Sequence, residues 1–523
     1  MRSKLSRSAT QLAILPLAFT LGGGVGHASP ASSTSCDAAA RATLSDGQIT
    51  GATLVAQGAM PAPPGFNGAA PNQASLDLYA SLPAFCRIQA DLHPAPDSDI
   101  KIEVWAPVQG WNGRLQLLGN GGYQGAIQYG DMALGLSKSY AVASSDTGHR
   151  PEHNQDFYVG HPEKVVDWEV RAVHETAVAA KAVVASLFGT GPKYSYWNSC
   201  STGGRQGWIA AEYYPQDFDG LAIGDPANPM TRLQGSSLWL NLMLNRSATS
   251  FISQEKWALI HQSFTRACDA QDGLKDGLVE NPLACRFDPQ QLLCKGEDQT
   301  SCLTAPQLDS LRAVTRGMRS KSGQQLYPGY PMGSALLPGP VGGKNPDPSA
   351  PQTYRILYKD PSWDFHRFDV ETDIPRADRL GYQTMNAVNP EKLKALFARG
   401  GKVLMYHGWD DPAITPMIGL KLYSDAVQAN GGPKKTKDLI RLFMIPGKAH
   451  CGNPFDQMEV ITRWVEQGVA PDTITVSYAA VTAGDAPHGP RIRKVCAWPQ
   501  TSRYKGQGSV DDAASFACVK SGT

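Results

Sequence analysis

The sequence predicts an α/β fold with one large insertion. Strand-like and helix-like patterns alternate over residues 101–225, the alternation is lost between 228 and about 390, and it resumes in the rest of the chain. A chain of 523 residues can hold one large domain together with a second domain or a large insertion. We therefore expect a core made of residues 29–227 and 391–523, with residues 228–390 forming an inserted, lid-like domain.

The first 28 residues have the organisation of a secretory signal peptide. Arg2, Lys4 and Arg7 precede an apolar run over residues 12–26, and small residues follow up to Ala28. The apolar run is too short and too rich in glycine to span a bilayer. We expect cleavage after Ala28 and a secreted or periplasmic protein.

Charge and cysteine content narrow the class of protein. The 48 basic and 47 acidic residues are balanced, which argues against nucleic acid or a membrane surface as a partner. All ten cysteines follow the signal peptide, and an even number in an oxidising compartment indicates up to five disulfides. The pairs 268–285, 294–302 and 496–518 would close short loops, which leaves open the partners of Cys36, Cys86, Cys200 and Cys451. No cysteine or histidine spacing is typical of a zinc site.

The first half of the core begins with three strand patterns and a long helix. Residues 101–108 (KIEVWAPV) alternate as a strand does, residues 113–125 (GRLQLLGNGGYQG) are a strand leading into a glycine-rich loop, and residues 139–149 (SYAVASSDTGH) are a strand ending in a polar turn. Residues 164–189 have a helical pattern that Gly189 closes.

A serine follows the next strand on a tight turn. The β-prone segment KYSYW (193–197) precedes NSCSTGGRQG (198–207), and the helix-forming segment WIAAEYY (208–214) comes after it. A serine between strand and helix is typical of a nucleophile elbow, which makes Ser201 the candidate nucleophile. An apolar run over 218–227 then completes this half of the core.

The inserted segment has a different character. Residues 228–390 contain four of the cysteines, an acidic loop at 268–280 (CDAQDGLKDGLVE) and a stretch rich in proline and glycine at 327–351. The α/β pattern then returns with a strand and an acidic turn at 401–411, followed by a strand and a histidine turn at 440–451.

Three predicted strands thus end in polar residues with catalytic potential. Ser201 comes first in the chain, Asp410 or Asp411 second, and His450 third. Catalytic groups of open α/β sheets lie beyond the carboxyl ends of the strands, and this chain order is that of α/β-hydrolases. The sequence therefore predicts an α/β-hydrolase fold with a large inserted lid domain. His407 is a rival base, but it lies early on its strand and precedes the acid.

These residue types suit acyl transfer. Histidine takes the proton of the serine hydroxyl, a carboxylate fixes the tautomer of the histidine, and N–H donors stabilise the oxyanion. The amide of Thr202 is one expected donor, and the glycine-rich loop supplies the other through Gly122, with Gly121 as the alternative. His149, in a polar turn, is expected to be a loop or structural residue.

The motifs CSTGGRQG, YHGWDD and PGKAHC, together with WNGRLQLLGNGG, CDAQDGLKDG and RYKGQG, resemble the tannase/feruloyl esterase family across nearly the whole mature chain. That family includes hydrolases of mono(2-hydroxyethyl) terephthalate. The resemblance implies that Asp411 is the acid, that Cys200 pairs with Cys451, and that Cys36 pairs with Cys86. One departure is Ser199, which occupies the position of the first glycine of GxSxG; a small side chain is expected to fit there.

The resemblance also implies a structural calcium site in the lid. Carboxylates and backbone carbonyls are the oxygen ligands that calcium prefers. The implied ligands are Asp269, Asp272 and Asp276 with the carbonyls of Leu274 and Leu278. The spacing is not that of an EF-hand, and on composition alone an exposed acidic turn is the alternative.

We therefore expect a secreted serine carboxylic-ester hydrolase that acts on small esters of aromatic acids through an acyl-enzyme. The alternatives are a terephthalate monoester hydrolase, a catalytically silent binding protein of the same fold, and a thiol-dependent redox protein. Five lid residues suit either the lining of an aromatic acyl pocket or the core of the lid: Tyr354, Arg355, Trp363, Phe365 and Phe368. Arg355 or Arg367 would be the cation that binds the distal carboxylate of a terephthalate monoester. The sequence does not determine the oligomeric state.

Overall fold

The structure is a computed structural model that describes residues 36–64, 69–334, 343–381, 385–479 and 489–520. The predicted signal peptide and its cleavage site lie outside the described residues. Within them, no helix combines the length and the apolar character needed to cross a membrane.

Strands are distributed along the whole described chain. In chain order they are β1 (Gly47–Val55), β2 (Phe85–Leu92), β3 (Ile100–Pro107), β4 (Arg114–Leu118), β5 (Ala141–Ser145), β6 (Tyr194–Cys200), β7 (Gly220–Gly224), β8 (Met318–Arg319), β9 (Gln325–Tyr327), β10 (Lys402–Gly408), β11 (Ile440–Ile445), β12 (Thr473–Tyr478), β13 (Arg491–Cys496), β14 (Gln500–Tyr504) and β15 (Phe516–Lys520).

A nine-stranded sheet forms the centre of the molecule, in the order β1-β2-β3-β5-β4-β6-β7-β10-β11. The strands from β5 to β11 in this order pair in parallel, whereas β1, β2, β3 and β5 pair antiparallel. Every residue of β7 and β11 is buried. β7 lies inside the parallel part of the sheet, where both faces are covered, and this explains its uninterrupted run of small and apolar residues.

Helices cover the sheet and build the insertion. In chain order they are α1 (Cys36–Ala39), α2 (Gln73–Ser81), α3 (Tyr129–Ser137), α4 (Pro162–Val166), α5 (Ala172–Phe188), α6 (Thr202–Tyr213), α7 (Met230–Leu244), α8 (Gln254–Cys268), α9 (Ala305–Arg316), α10 (Ser349–Tyr358), α11 (Val370–Gly381), α12 (Leu393–Ala398), α13 (Pro416–Ala429), α14 (Pro433–Thr436) and α15 (Gln457–Gln467).

The long helix predicted over 164–189 is present with an internal irregularity. A π-helical segment, Asp167–Arg171, joins α4 to α5. Gly189 ends α5 with φ 71°, the left-handed conformation that a glycine after a helix adopts without strain.

Between β7 and β10 the chain leaves the sheet and forms α7 to α12 with the small hairpin β8–β9. Part of this insertion has its own apolar core, which includes Leu240, Trp257 and Leu308. Tyr354 and Ile374, on α10 and α11, instead pack into the main core. The domain boundaries at 228 and 390 therefore stay a prediction, because the buried side chains do not separate there.

The ten cysteines form five disulfides, and each pair is one that the sequence or the resemblance indicated: Cys36–Cys86, Cys200–Cys451, Cys268–Cys285, Cys294–Cys302 and Cys496–Cys518. The Cys200–Cys451 bond argues against the thiol-dependent redox interpretation, which would have used Cys200.

Candidate active site

The candidate catalytic residues meet at one edge of the sheet. β6 and β10 both pair in parallel with β7, and β11 pairs in parallel with β10. Ser201 follows β6 directly, Asp411 lies three residues after β10, and His450 lies five residues after β11. Because the carboxyl ends of parallel strands lie at the same edge, the three turns are neighbours.

The backbone at Ser201 has the conformation of a nucleophile elbow. Its φ of 64° and ψ of −123° are strained for a non-glycine residue, and such strain persists only where the surroundings hold it. The Ser201 amide donates to the Gly224 carbonyl at 3.0 Å, and the Ser201 carbonyl accepts from the amides of Arg205 and Ala227, each at 3.0 Å. A Cβ at Gly203 would lie 1.9 Å from Ser199 Oγ. Ser199 therefore fits at its position because residue 203 has no side chain.

The Cys200–Cys451 disulfide joins the serine turn to the histidine turn. It brings the two Cα atoms to 5.8 Å across a sequence separation of 251 residues. Cys451 itself has φ 61°, so both turns are held in unusual backbone conformations. This pairing places Ser201 and His450 on adjacent turns.

Asp411 orients His450. The His450 Nδ1 atom donates to Asp411 Oδ2 at 2.7 Å, and Asp411 Oδ1 accepts from the amides of Ala413 at 2.8 Å and Ile414 at 2.9 Å. Because Nδ1 carries the proton that the carboxylate accepts, Nε2 is the ring atom left to act as a base. Asp411 is fully buried, whereas the His450 side chain is 25% exposed and open to a substrate.

The charges of this pair stabilise each other. Burial alone would raise the pKa of Asp411, but the hydrogen bonds and charges of His450 and His407 hold it well below its usual value. Burial alone would lower the pKa of His450, but Asp411 and then Asp225 raise it above its usual value. The electrostatics thus favour a carboxylate beside a histidine that readily accepts a proton.

Asp410, the alternative acid, faces elsewhere. Its amide donates to the Lys448 carbonyl at 3.0 Å, and burial raises the pKa of its carboxyl to about 6, with His261 as the opposing charge. The structure therefore brings Asp411, and not Asp410, to His450.

The glycine-rich loop after β4 packs against the first turn of α6. A Cβ at Gly119 would lie 2.8 Å from Gly203 Cα, and the Asn120 amide donates to Gln206 Oε1 at 3.0 Å. Gly122 has φ 51° and follows at the tip of this loop, while Thr202 begins α6. Gly122 and Thr202 thus lie on two turns that are held together, and their role as oxyanion donors stays a prediction.

His149 holds the glycine-rich loop through a hydrogen bond to the backbone of Tyr123. Its Nε2 atom lies 2.8 Å from the Tyr123 carbonyl, to which it donates, and the residue is 3% exposed. The ring of Tyr123 stacks on Trp168 with centroids 4.2 Å apart, and the Tyr123 hydroxyl lies 2.5 Å from Thr353 Oγ1 on α10. His149 has the structural position that the sequence predicted for it.

Two buried residues beside the triad were not predicted as part of the site. His407, the rejected rival base, is fully buried, and its Nε2 atom lies 3.2 Å from Asp411 Oδ2 and 3.1 Å from the Ile414 carbonyl. Asp225 follows β7 and accepts the amide of Cys451 at 2.9 Å. The signal that identified Ser201 and His450, a polar residue after an apolar strand, also applies to Asp225 in GLAIGDPA.

The aromatic residues of the lid form a core. Tyr354 is fully buried, stacks on Trp363 with centroids 5.2 Å apart, and packs edge-on against Phe368 at 5.3 Å. The Tyr354 hydroxyl donates to the Thr231 carbonyl, and Arg355 Nε donates to the Trp363 carbonyl. This packing favours the lid-core interpretation for Tyr354, and an acyl-pocket lining by the other aromatic residues of the set stays a prediction.

The acidic loop has the oxygen-rich chemistry of a calcium site but is partly neutralised by arginine. Asp276 Oδ2 accepts from Arg493 Nη2 at 2.5 Å, and Asp269 Oδ1 accepts from the amides of Asp276 and Gly277. Burial raises the pKa of Asp272 to about 6, and repulsion by Asp276 and Asp269 adds to this. Carboxylate oxygens suit a hard cation, but among the described residues these three carboxylates do not bring one oxygen each within 4.8 Å of one another. Calcium binding by this loop therefore stays a prediction.

The sheet order, the elbow and the Asp411–His450 pair at the ends of successive strands define the class of α/β-hydrolases. Residues 86–351 and 363–519 match the family model described as tannase and feruloyl esterase. The chain belongs to that family, as the motifs indicated, and is a carboxylic-ester hydrolase.

Individual proteins that are similar to this chain over most of its length also carry esterase names. An uncharacterized esterase of Xanthomonas campestris pv. campestris is 33% identical over 90% of this chain and 89% of its own length. A probable feruloyl esterase B-1 of Aspergillus flavus is 32% identical over 83% of this chain and 86% of its own length. The crystal structure of feruloyl esterase B from Aspergillus oryzae superposes with a TM-score of 0.80 at 29% identity, covering 91% of this chain and 97% of that one. The predicted fold class is confirmed.

Proposed function

We propose that the protein is a secreted serine esterase that hydrolyses small esters of aromatic acids through an acyl-enzyme. The observation that carries the proposal is the Asp411–His450 hydrogen bond, held beside the strained Ser201 elbow by the Cys200–Cys451 disulfide. This arrangement has a nucleophile, a base with a fixed tautomer and a buried carboxylate in the roles that acyl transfer requires.

In the first half of the reaction Ser201 Oγ attacks the ester carbonyl carbon while His450 Nε2 takes the hydroxyl proton. The carbonyl oxygen becomes an oxyanion, which the amides of Thr202 and Gly122 would stabilise. The intermediate collapses when the C–O bond to the alcohol breaks, and His450 gives its proton to the leaving alkoxide. The product of this half is an ester between the acid and Ser201.

In the second half a water molecule attacks the acyl-enzyme. His450 takes a proton from the water, the second oxyanion forms in the same place, and the bond to Ser201 Oγ breaks as His450 returns the proton to the serine. Asp411 stabilises the imidazolium in both halves, since its carboxylate accepts the Nδ1–H throughout.

The proposed substrate class follows from the relatives. Two of them are named feruloyl esterase B, and a further solved structure is the tannin acyl hydrolase from Aspergillus niger. Hydroxycinnamate and gallate esters are therefore the favoured substrates. A terephthalate monoester would need a cation for its distal carboxylate; Arg355 Nε is engaged by the Trp363 carbonyl, and Arg367 is exposed in the lid.

The test is ester hydrolysis by wild type and two serine variants. Wild type should hydrolyse methyl ferulate or methyl gallate faster than mono(2-hydroxyethyl) terephthalate. Ser201→Ala should lower kcat by at least about 10⁴-fold, because it removes the nucleophile. Ser199→Ala is the matched control, two residues away on the same turn, and should keep activity within about tenfold. Near-normal turnover by Ser201→Ala would refute the mechanism.

Secretion and calcium binding are parts of the same proposal. Five disulfides suit an oxidising compartment, in agreement with the signal-peptide pattern of the sequence. The calcium site would use the carboxylates of Asp269, Asp272 and Asp276 with the carbonyls of Leu274 and Leu278, and bound calcium would neutralise repulsion in the lid.

A further inference from the structure

We propose that Asp225 is a positioning residue of the active site, which holds the serine, acid and histidine turns together and places a second buried negative charge beside the His450 imidazole. The inference rests on the proposed serine mechanism. Asp225 follows β7, the strand that lies between the strand of Ser201 and the strand that leads to Asp411. Its backbone has φ 36°, an uncommon value for a residue with a side chain, and its amide donates to the Tyr406 carbonyl at 3.0 Å.

The Asp225 carboxylate contacts each of the three turns. Oδ1 accepts the amide of Gly408, at the end of β10, at 3.0 Å. Oδ2 accepts the amide of Cys451, next to His450, at 2.9 Å, and lies 3.2 Å from Cys200 Sγ, next to Ser201. The residue is 1% exposed. A single side chain therefore holds the backbone of the acid and histidine turns by hydrogen bonds and touches the disulfide sulfur next to Ser201.

The hydrogen bonds indicate an ionised carboxylate. Both oxygens of Asp225 accept from backbone amides, which favours the ionised form. Burial raises the pKa of Asp225, and the charges of His407 and His450 offset part of this. An oxygen of Asp225, an oxygen of Asp411 and a ring nitrogen of His450 lie within 4.8 Å of one another. Two negative charges this close are unfavourable away from water unless a cation or a shared proton lies near them.

His407 lies near both carboxylates and reduces this repulsion. Its Nε2 atom is 3.2 Å from Asp411 Oδ2 and 3.6 Å from Asp225 Oδ1. That nitrogen carries a proton, because it also lies 3.1 Å from the Ile414 carbonyl, which can only accept. Burial would lower the pKa of His407, but Asp225 and Asp411 together raise it above its usual value.

The remaining charged groups around the cluster are few among the described residues. Asp411 and Asp225 are the charges that act on His450. Asp225 in turn faces His407, Asp411 and His450. Burial raises the pKa of the Tyr406 hydroxyl, and the charge of Asp225 raises it further. Tyr330 and Tyr327 face Asp411 as neutral phenols. Asp225 is thus the second source of negative potential that favours the imidazolium formed during acyl transfer.

The sign of the pH effect follows from this charge. His450 must be neutral to act as the base, so activity falls as pH drops through its pKa. A neighbouring negative charge raises that pKa, and neutralising Asp225 therefore moves the acid limb to lower pH. The two groups lie within 4.8 Å of each other, and at an effective dielectric constant of about 20 a unit charge at that largest distance corresponds to about 2.5 pH units. His407 offsets part of this, and we expect a displacement of about 1 pH unit.

The experiment measures the rate of fluorophosphonate labelling of Ser201 between about pH 4 and 9, a range that spans the usual pKa of histidine. It compares wild type with Asp225→Asn, Asp225→Ala and Asp410→Asn. Asp410→Asn is the matched control, because it removes a half-buried carboxylate that is not among the charges acting on His450. Circular dichroism shows whether each variant is folded, and kcat and KM are measured on the best ester substrate.

The expected result is an acid limb moved down by about 1 pH unit in both Asp225 variants and unmoved in Asp410→Asn. We also expect kcat to fall about tenfold in Asp225→Asn and further in Asp225→Ala, with KM little changed, because alanine accepts neither amide. An unmoved limb in folded Asp225 variants would overturn the proposal, and so would failure of both variants to fold, which would make Asp225 purely structural. Absence of labelling at Ser201 in wild type would instead refute the serine mechanism itself.

Discussion

Removing the Cys200–Cys451 disulfide should reduce activity more than it reduces the amount of folded protein. The bond closes a loop of 251 residues, and the chain-entropy expression gives about 5.5 kcal/mol as the largest stabilisation for that length. Measured values often fall below this ceiling, and the hydrogen bond that the backbone amide of residue 451 donates to Asp225 does not depend on the sulfur atoms. We expect the Cys200→Ala/Cys451→Ala variant to stay folded at low temperature but to hold His450 less firmly beside Ser201.

The assay separates the effect of the disulfide on the position of His450 from its effect on the stability of the fold. Urea unfolding gives the loss of unfolding free energy, circular dichroism gives the folded fraction, and kcat is then expressed per folded molecule at about 10 °C, below the temperature at which the weakened variant should unfold. Because a misplacement of about 1 Å can cost up to about 10² in rate, we expect kcat per folded molecule to fall about tenfold or more. The control variant lacks the Cys496–Cys518 disulfide, which lies in the C-terminal hairpins. Its sequence separation of 22 residues gives a largest stabilisation of about 3.4 kcal/mol. An unchanged kcat per folded molecule in the Cys200–Cys451 variant would refute the positional role.

Asp411→Asn should lower kcat by about 10³- to 10⁴-fold, because an amide no longer selects the Nδ1–H tautomer of His450. Asp410→Asn should keep kcat within about tenfold. Equal losses of kcat would show that the acid is misassigned. Calcium should raise Tm in a concentration-dependent way that magnesium does not reproduce, and Asp272→Asn should abolish the rise, with thermal unfolding as the readout. If a chelator instead stops turnover at once while circular dichroism shows intact protein, the ion acts closer to the chemistry than the lid.

The sequence predicted the triad because each member follows an apolar strand. Ser201 and His450 are polar residues at the ends of runs that the parallel sheet buries, and strand-end position and chain order together indicated their function. The choice between Asp410 and Asp411 needed the resemblance, since both follow the same strand. The structure agrees with that choice because Asp411 accepts the His450 Nδ1–H.

Long-range contacts could not be read from local patterns. Asp225 precedes a proline after β7, which is typical of an ordinary turn, and its role depends on the pairing of β7 with β6 and β10. The pairing of Asp276 with Arg493 spans 217 residues and joins the lid to β13. Tyr354 and Trp363 were ambiguous because a lid core and an aromatic pocket require the same apolar side chains.

The measurement that tests the central claim most directly is peptide mapping after fluorophosphonate treatment of the native protein. The proposed mechanism predicts one stoichiometric adduct, on the Ser201 hydroxyl, which forms in wild type and Ser199→Ala and does not form in Ser201→Ala. An adduct on another residue, or full hydrolytic activity in protein that carries no adduct after exhaustive treatment, would contradict it.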